Sequence, residues 1–574
     1  MKPLARHHSI FFLIMRRMRA PLILLIVIMA ISVLGLTLAP GAIDAHGKVE
    51  RLSFFHAFYF MSYTATTIGF GEIPYAFSEQ QRLWAVLTIY MSVIGWAYTL
   101  GTAFSLLSDR NLQQAIHTQR FLRAVQHLRE PFYLVCGYGE TGRLICDALD
   151  QMRFRMVVIE IDEGRLGDAE LRNYHADVPA LCADARNPEI LQYAGLKHPH
   201  CAGVLALTND DSANLSIAIT ARLLAPRLPT LCRAETRETA ANMASFGTRH
   251  IINPFETFSE YFALALHSPS AWQLVIWLTG LPGTTVERHR NPPRREWVLC
   301  GHGRFGRMVV EAMEKEGIPV TIIDREPPQD FEHRWIQGDG TVAETLLNAG
   351  IEEAAGVIAG SSNDIDNLSI AVTARALNPG LFVILRQNQI ANQALFDAFD
   401  ADVTMVPSKS IAHECLAVLT TPLLVPFLTE VKRRDDPWCE QLVGGLTGRF
   451  GWKVPTVWSE RINVSRAPAL YRRLMRGTDI CLGDIMRSPA DRGEALELEI
   501  LFLHRDDDDH LVIPDARTQI RAGDEILLVG NAHARNQLDL VLTNEYALHY
   551  VLTGIELARG WVWQRLFAPS APPR

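Results

Sequence analysis

Apolar and polar residues are distributed in two different ways along this chain. Near the N-terminus, an uninterrupted apolar run extends from Pro21 to about Pro40, and a second from Leu83 to Leu107. Each is long enough to cross a bilayer as a helix. Between them, Ser53–Thr66 is rich in Phe54, Phe55, Phe58, Tyr59, Phe60 and Tyr63 but too short to span. That stretch predicts a re-entrant half-helix. Asp109–Glu130 is polar and reads as a helical linker. After it the rhythm changes to strand-length apolar runs separated by helical patterns. Phe132–Cys136 and Met156–Glu160 are the first two, and Trp297–Cys300 restarts the series. Strands alternating with helices predict parallel α/β units.

The loop after the short aromatic stretch reads Thr66-Thr67-Ile68-Gly69-Phe70-Gly71-Glu72. A dehydrated cation needs a ring of oxygens in place of its water. Consecutive backbone carbonyls point one way only if backbone handedness alternates, and Gly69 and Gly71 allow this at little cost. Thr67 offers a hydroxyl and a carbonyl; Ile68, Gly69 and Phe70 offer carbonyls. Irregular backbone at membrane depth is tolerated where it lines a cavity. One loop cannot encircle an ion, so the chemistry calls for four copies of the chain. Within the second span, Gly95 and Gly101 leave two readings open. One is close helix packing, and the other is a hinge at Gly95.

Each α/β unit opens with the same device. The first strand runs into Gly137-Tyr138-Gly139-Glu140-Thr141-Gly142, then a helical pattern, then a strand ending at Glu160. The second reads Gly301-His302-Gly303-Arg304-Phe305-Gly306, with its second strand ending at Asp324. In both, the acid lies 23 residues past the first glycine. Strand, GxGxxG, helix, strand, acid is a dinucleotide-binding pattern in its proper context. The glycines admit a pyrophosphate to a helix N-terminus. Glu160 and Asp324 stand where a ribose hydroxyl would be received. The parallel continues to Asp184 and Asp339 after a third strand. It reaches Asn214-Leu215-Ser216-Ile217-Ala218 and Asn367-Leu368-Ser369-Ile370-Ala371, and then apolar helical pairs near Phe258–Leu278 and Ile411–Leu428. A period of about 160 residues denotes duplicated domains, not a solenoid.

On residues 67–71 the chain resembles the potassium-channel pore family, with Phe70 and Glu72 where Tyr and Asp are usual. On the two glycine loops it resembles the RCK domains of ligand-gated potassium channels and the nucleotide-binding lobe of Trk potassium-uptake regulators. The resemblance implies a membrane α-helical pore of two transmembrane helices and a pore helix, followed by two Rossmann-like RCK domains. It implies a homotetramer over a ring of eight such domains, in contact with membrane lipid. Potassium is the implied permeant ion, and NAD or an adenosine nucleotide the regulatory ligand, with calcium a further candidate. The missing tyrosine hydroxyl removes a usual brace from behind the filter. Gly95 matches the hinge position of such channels. The expected boundaries are a pore domain at 1–108, a linker at 109–130, RCK domains at 131–290 and 296–430, a C-terminal lobe at 431–550 and a tail at 551–574.

Charge and composition narrow the alternatives. The net charge of −8 and the absence of a long basic patch argue against a nucleic-acid partner. The nine cysteines (Cys136, Cys146, Cys182, Cys201, Cys232, Cys300, Cys415, Cys439 and Cys481) all lie beyond the first hundred residues, with no CxxC pair. They read as thiols of a reducing compartment. Arg6, Arg16, Arg17 and Arg19 precede the first span and place the N-terminus in the cytoplasm of an inner membrane. Asp506-Asp507-Asp508-Asp509-His510 reads as a solvated turn before it reads as a cation site. No catalytic constellation accompanies the glycine loops, so a tethered oxidoreductase ranks behind the channel, as does a regulatory subunit of a separate transporter.

Overall fold

The computed structural model describes residues 10–41, 51–72, 76–248, 250–280, 283, 290–326, 334–505 and 509–556. They form two compact units that divide after His127.

The first unit contains α1 (Ile10–Leu38), α2 (Phe54–Ala65), α3 (Glu79–Leu107) and α4 (Arg110–Gln126). Met15–Leu38 and Glu79–Leu106 are long and apolar enough to cross a membrane. The sequence reading began the first helix at Pro21; it starts instead at Ile10, with Pro21 inside it. A proline removes one backbone donor, and membrane helices tolerate that loss. The helix therefore carries Arg16, Arg17 and Arg19 on its own first turns. Ser53 caps α2, its hydroxyl accepting from the His56 amide at 3.3 Å. Ser78 and Gln81 form a reciprocal capping box at the start of α3. Val33, Leu36, Leu52, Ala57 and Met61 make a small core among α1, α2 and the segment before α2. The Trp84 indole donates to the Ser32 carbonyl at 3.1 Å and ties α3 to α1, and Arg17 pairs with Asp109.

The second unit carries three sheets. The first is all parallel, from β1 (Phe132–Cys136), β2 (Arg155–Glu160), β3 (Ala180–Cys182), β4 (Cys201–Ala206), β5 (Thr230–Arg233) and β6 (His250–Ile252). Its order is β3-β2-β1-β4-β5-β6, the doubly wound arrangement whose switch point lies between β1 and β4. The second comprises β7 (Trp297–Cys300), β8 (Val320–Asp324), β9 (Arg334–Gln337), β10 (Gly356–Ala359), β11 (Phe382–Arg386) and β12 (Val403–Met405). It repeats that order, read from the other edge. The third is antiparallel, β13 (Thr456–Arg461), β14 (Leu498–His504), β15 (His510–Val512) and β16 (Glu525–Gly530), in the order β13-β16-β14-β15. The acidic turn expected between Leu503 and Leu511 lies largely outside the described residues.

The two copies exchange helices. After β6, the helix Pro254–His267 lays Phe255, Phe262 and Leu266 against Trp297, Phe305 and Val309 of the second copy. After β12, the helix Pro407–Thr420 lays Ile411, Ala412 and Cys415 against Val135, Ile145 and Leu149 of the first. Each glycine-loop helix is thus covered by its sister domain. The stretch 430–500, opaque in the sequence, contains the helix Asp436–Phe450, strand β13 and the helix Pro468–Met475. Asp436 accepts from the Ser268 hydroxyl at 2.7 Å and the Ser270 amide at 2.8 Å, fastening that helix to the first copy.

Candidate functional sites: the pore loop and the two glycine loops

The pore loop leaves α2 at Thr66 with no regular structure. Thr67, Gly69 and Gly71 have φ of 59°, 64° and 77°, whereas Ile68 and Phe70 stay on the ordinary side. Handedness therefore alternates residue by residue through 67–71. Two glycines take this at no steric cost; Thr67 takes it against one of about 1–2 kcal/mol. Ile68 and Phe70 are among the most exposed side chains of the first unit.

The brace that Phe70 cannot supply is built from α2. The Tyr63 carbonyl accepts the amides of Ile68 at 3.0 Å and Gly69 at 3.3 Å. The Tyr63 hydroxyl donates to the Glu72 carbonyl at 2.9 Å, and the Tyr59 hydroxyl to Glu72 Oε2 at 3.1 Å. The sequence reading counted these tyrosines only as apolar bulk. Their i, i+4 spacing, which puts both on one helix face, was the available signal. Gly95 sits where α3 meets α1. A methyl there would stand 2.7 Å from Ile28 Cδ1, so close packing is its visible role.

In the first copy the loop after β1 turns at Gly137, whose φ is 101°. The helix α5 (Glu140–Gln151) follows, and Gly139 at its start offers no side-chain cap. By contrast, the helices opening at Asp211 and Pro254 are capped by Asp210 and Asn253. The first amides of α5 are thus left for an anion. A cavity of about 300 Å³ lies beside them, lined by Gly137, Gly139, Glu160, Arg165, Asp184 and Arg186, among others. The Arg165 guanidinium passes 3.6 Å from where a Gly139 Cβ would be. Glycine backbone, a helix N-terminus and an arginine at one cavity wall fit the pyrophosphate of a nucleotide.

The acids do more than the sequence implied. Glu160 is buried, and its Oε2 accepts the Tyr138 amide at 2.5 Å. Its Oε1 accepts those of Ile161 at 2.8 Å and Asp162 at 3.0 Å. It therefore clamps the glycine loop to the end of β2, and its remaining lone-pair position is what a ribose hydroxyl would share. Asp324 repeats the clamp on His302 at 2.6 Å. Asp184 is held by Arg186 at 2.7 Å, which pulls its carboxyl below the usual carboxylate range. Asp339 is also lowered, to about 2, because it accepts from the Thr341 amide and from Arg325. Arg325, which follows β8, reaches Asp339 at 2.6 Å, a contact with no counterpart from Ile161 in the first copy.

The loop side chains turn to the sister domain. Glu140 Oε1 accepts the Ile390 amide at 2.8 Å, and Oε2 meets the Ser408 hydroxyl at 3.4 Å. Arg304, at the matching place in the second loop, pairs with Glu235 of the first copy at 2.7 Å. Phe305 is fully buried against Phe255 and Phe258. Glu140, Arg304 and Phe305 can thus serve a nucleotide through backbone only. Thr141 is buried, and its hydroxyl has no partner among the described residues. Gly142 and Gly306 let loop and helix touch: a Cβ would fall 2.0 Å from the Gly137 carbonyl oxygen and 2.1 Å from that of Gly301.

Family models agree with this division. Residues 22–109 match an ion channel domain, and 133–254 and 297–407 each match a TrkA-N domain. The chain thus joins an ion channel domain to two TrkA-N domains. It is homologous to "Potassium channel protein 1" of Methanocaldococcus jannaschii, at 25% identity over 36% of this chain and 60% of that protein. "Probable potassium channel protein 2" of the same organism matches at 23% over 39% of the chain and 64% of the relative. The chain thus spans less than two thirds of these relatives' length. Among solved structures, one described as "GsuK channel bound to NAD" aligns over 93% of this chain and 99% of its own, at 17% identity and a TM-score of 0.45.

Proposed function

We propose that the chain assembles as a homotetrameric potassium channel of the cytoplasmic membrane, opened or closed by an adenine nucleotide at its glycine loops. The observation that carries the permeation half is the alternating backbone of 67–71, with positive φ at Thr67, Gly69 and Gly71. In a ring of four, that alternation directs the carbonyls of Thr67, Ile68, Gly69 and Phe70 to a common axis. The homology to archaeal potassium channel proteins supports the choice of ion. Exposed Leu83, Tyr90, Ile94 and Phe104 on α3 supply apolar surface for lipid and neighbouring copies. The regulatory half rests on the first-copy cavity, where Gly137, Gly139, Glu160 and Asp184 line one wall and Arg165 faces the helix start. Gly301, Gly303, Gly306, Asp324 and Asp339 form the second candidate. Gly95 acts as a hinge only by releasing its contact with Ile28. Calcium has no ligand cluster in its support among the described residues.

The test is potassium flux from liposomes holding the purified protein, with NAD, ADP or calcium on the cytoplasmic face that carries the glycine loops. Potassium-over-sodium flux that changes with NAD or ADP is the expected result. Selective flux indifferent to every nucleotide would remove the regulatory half. No flux under any condition would favour a subunit of another transporter or a redox protein.

A further inference from the structure

A second cavity lies away from both glycine loops, where the exchanged helices meet. It encloses about 700 Å³ between the first copy's Pro254–His267 and Pro269–Thr279 helices and the second copy's β12 and Pro407–Thr420 helix. Phe258, Phe262, Ile276, Val403, Met405 and Leu428 give it apolar walls. Lys409 and His413 enter it from consecutive turns of one helix. Lys409 Nζ has the Gln393 amide oxygen at 2.9 Å as its hydrogen-bond partner. The His413 ring makes no hydrogen bond to any described residue. Glu414 is the one acid among the described lining residues, and the Thr257 hydroxyl donates to it at 2.9 Å. Burial holds the Glu414 carboxyl above its ordinary range. At the mouth Lys432 lies 5.1 Å over the Tyr261 ring and pairs with Glu260 at 3.2 Å. Large pockets with apolar walls and a few convergent polar groups are how proteins hold small organic ligands.

We propose that this cavity binds an amphipathic monoanion, a carboxylate or sulfonate on an aromatic or branched apolar body, with its head at Lys409 and His413. The body lies against Phe258, Ile276 and Val403, so one ligand touches both copies. Nothing in the glycine loops takes part, and the site stands whether or not the chain conducts potassium.

The test is photolabelling of the full-length detergent-solubilised protein with 4-benzoylbenzoate, mapped by peptide mass spectrometry. Label is expected in 257–280 and 403–417, at least fivefold above that given by uncharged benzophenone. Lys409→Gln and Lys409→Glu should each reduce it at least fivefold, and Ala417→Phe should block it by filling the cavity. Gel-filtration elution and thermal midpoint, measured on each variant, identify those that fold, and one folded lysine variant suffices. Label confined to the membrane helices would overturn the proposal. So would label equal for the two probes, or label unchanged in a folded Lys409 variant.

Discussion

Alanine at Gly142 is expected to cost the first TrkA-N domain both its fold margin and its nucleotide. The added methyl would lie 2.0 Å from the Gly137 carbonyl oxygen and 3.0 Å from its carbon. Both obstacles are backbone, and Gly137 is itself fixed by its amide on the Ile159 carbonyl at 2.8 Å. The loop must open, at the roughly 1–3 kcal/mol typical of overpacking. A thermal midpoint lower by several degrees follows, at about 2–4 °C per kcal/mol for a domain of this kind. Because the same movement displaces the amides of α5, ADP or NAD affinity should fall at least tenfold, or about 1.4 kcal/mol. Gly139→Asp separates the two effects. A Cβ at Gly139 meets nothing nearer than the Arg165 guanidinium at 3.6 Å, and at Gly303 nothing within 4 Å. Aspartate at either position should leave the midpoint in place and put a carboxylate where phosphate would sit. Calorimetric titration with ADP, beside a thermal scan, reads both quantities. Wild-type affinity in Gly139→Asp would show that phosphate does not approach the first loop, whatever the fold suggests. Potassium selectivity should stay unchanged in all of these variants.

What the sequence could tell followed from local rules. The glycines of 67–71 and of the two fingerprints are needed for reasons internal to a few residues: positive φ, or contact between a loop and the helix it opens. Those reasons survive without a tertiary structure. The terminal acids Glu160 and Asp324 were placed correctly on their strands, but their clamping of the Tyr138 and His302 amides was invisible. It requires β1 and β2 to be neighbours in known register. Long-range partners were out of reach. Glu140 bonds to Ile390, 250 positions away, and Arg304 to Glu235. No periodicity announces either contact, and a GxGxxG motif invites every side chain in it to be read as ligand-facing. The start of α1 was missed for a different reason. Proline is read as a helix boundary because its ring clashes with the preceding turn, yet Pro21 lies well inside an apolar helix. The segment 430–500 mixes helices with strand β13, whose one partner, β16, begins only at Glu525, so its pattern had nothing local to match.

Tyr63→Phe is expected to reduce potassium-over-sodium selectivity about tenfold while leaving the channel conductive. Tyr63 holds the proposed filter at both ends. Its carbonyl receives the Ile68 and Gly69 amides, and its hydroxyl reaches the Glu72 carbonyl at 2.9 Å. Phenylalanine keeps the first attachment and the ring packing against Phe60 and Tyr59, and removes only the second. A lost neutral hydrogen bond is worth about 0.5–1.5 kcal/mol. In the proposed tetramer the loss recurs in every subunit around one ion path, so a tenfold change, about 1.4 kcal/mol, lies within reach. Tyr59→Phe should do less, because its bond goes to the exposed Glu72 side chain, at 3.1 Å, and leaves the filter backbone untouched. Bi-ionic reversal potentials in planar bilayers measure the ratio directly. An unchanged ratio in Tyr63→Phe would mean that the carbonyl attachment alone sets the spacing of the oxygens. A variant closed to both ions would mean that the brace keeps the pore open. The tenfold loss with current retained is the outcome expected of a strut, since releasing the Glu72 end widens the outer carbonyls without collapsing the inner ones.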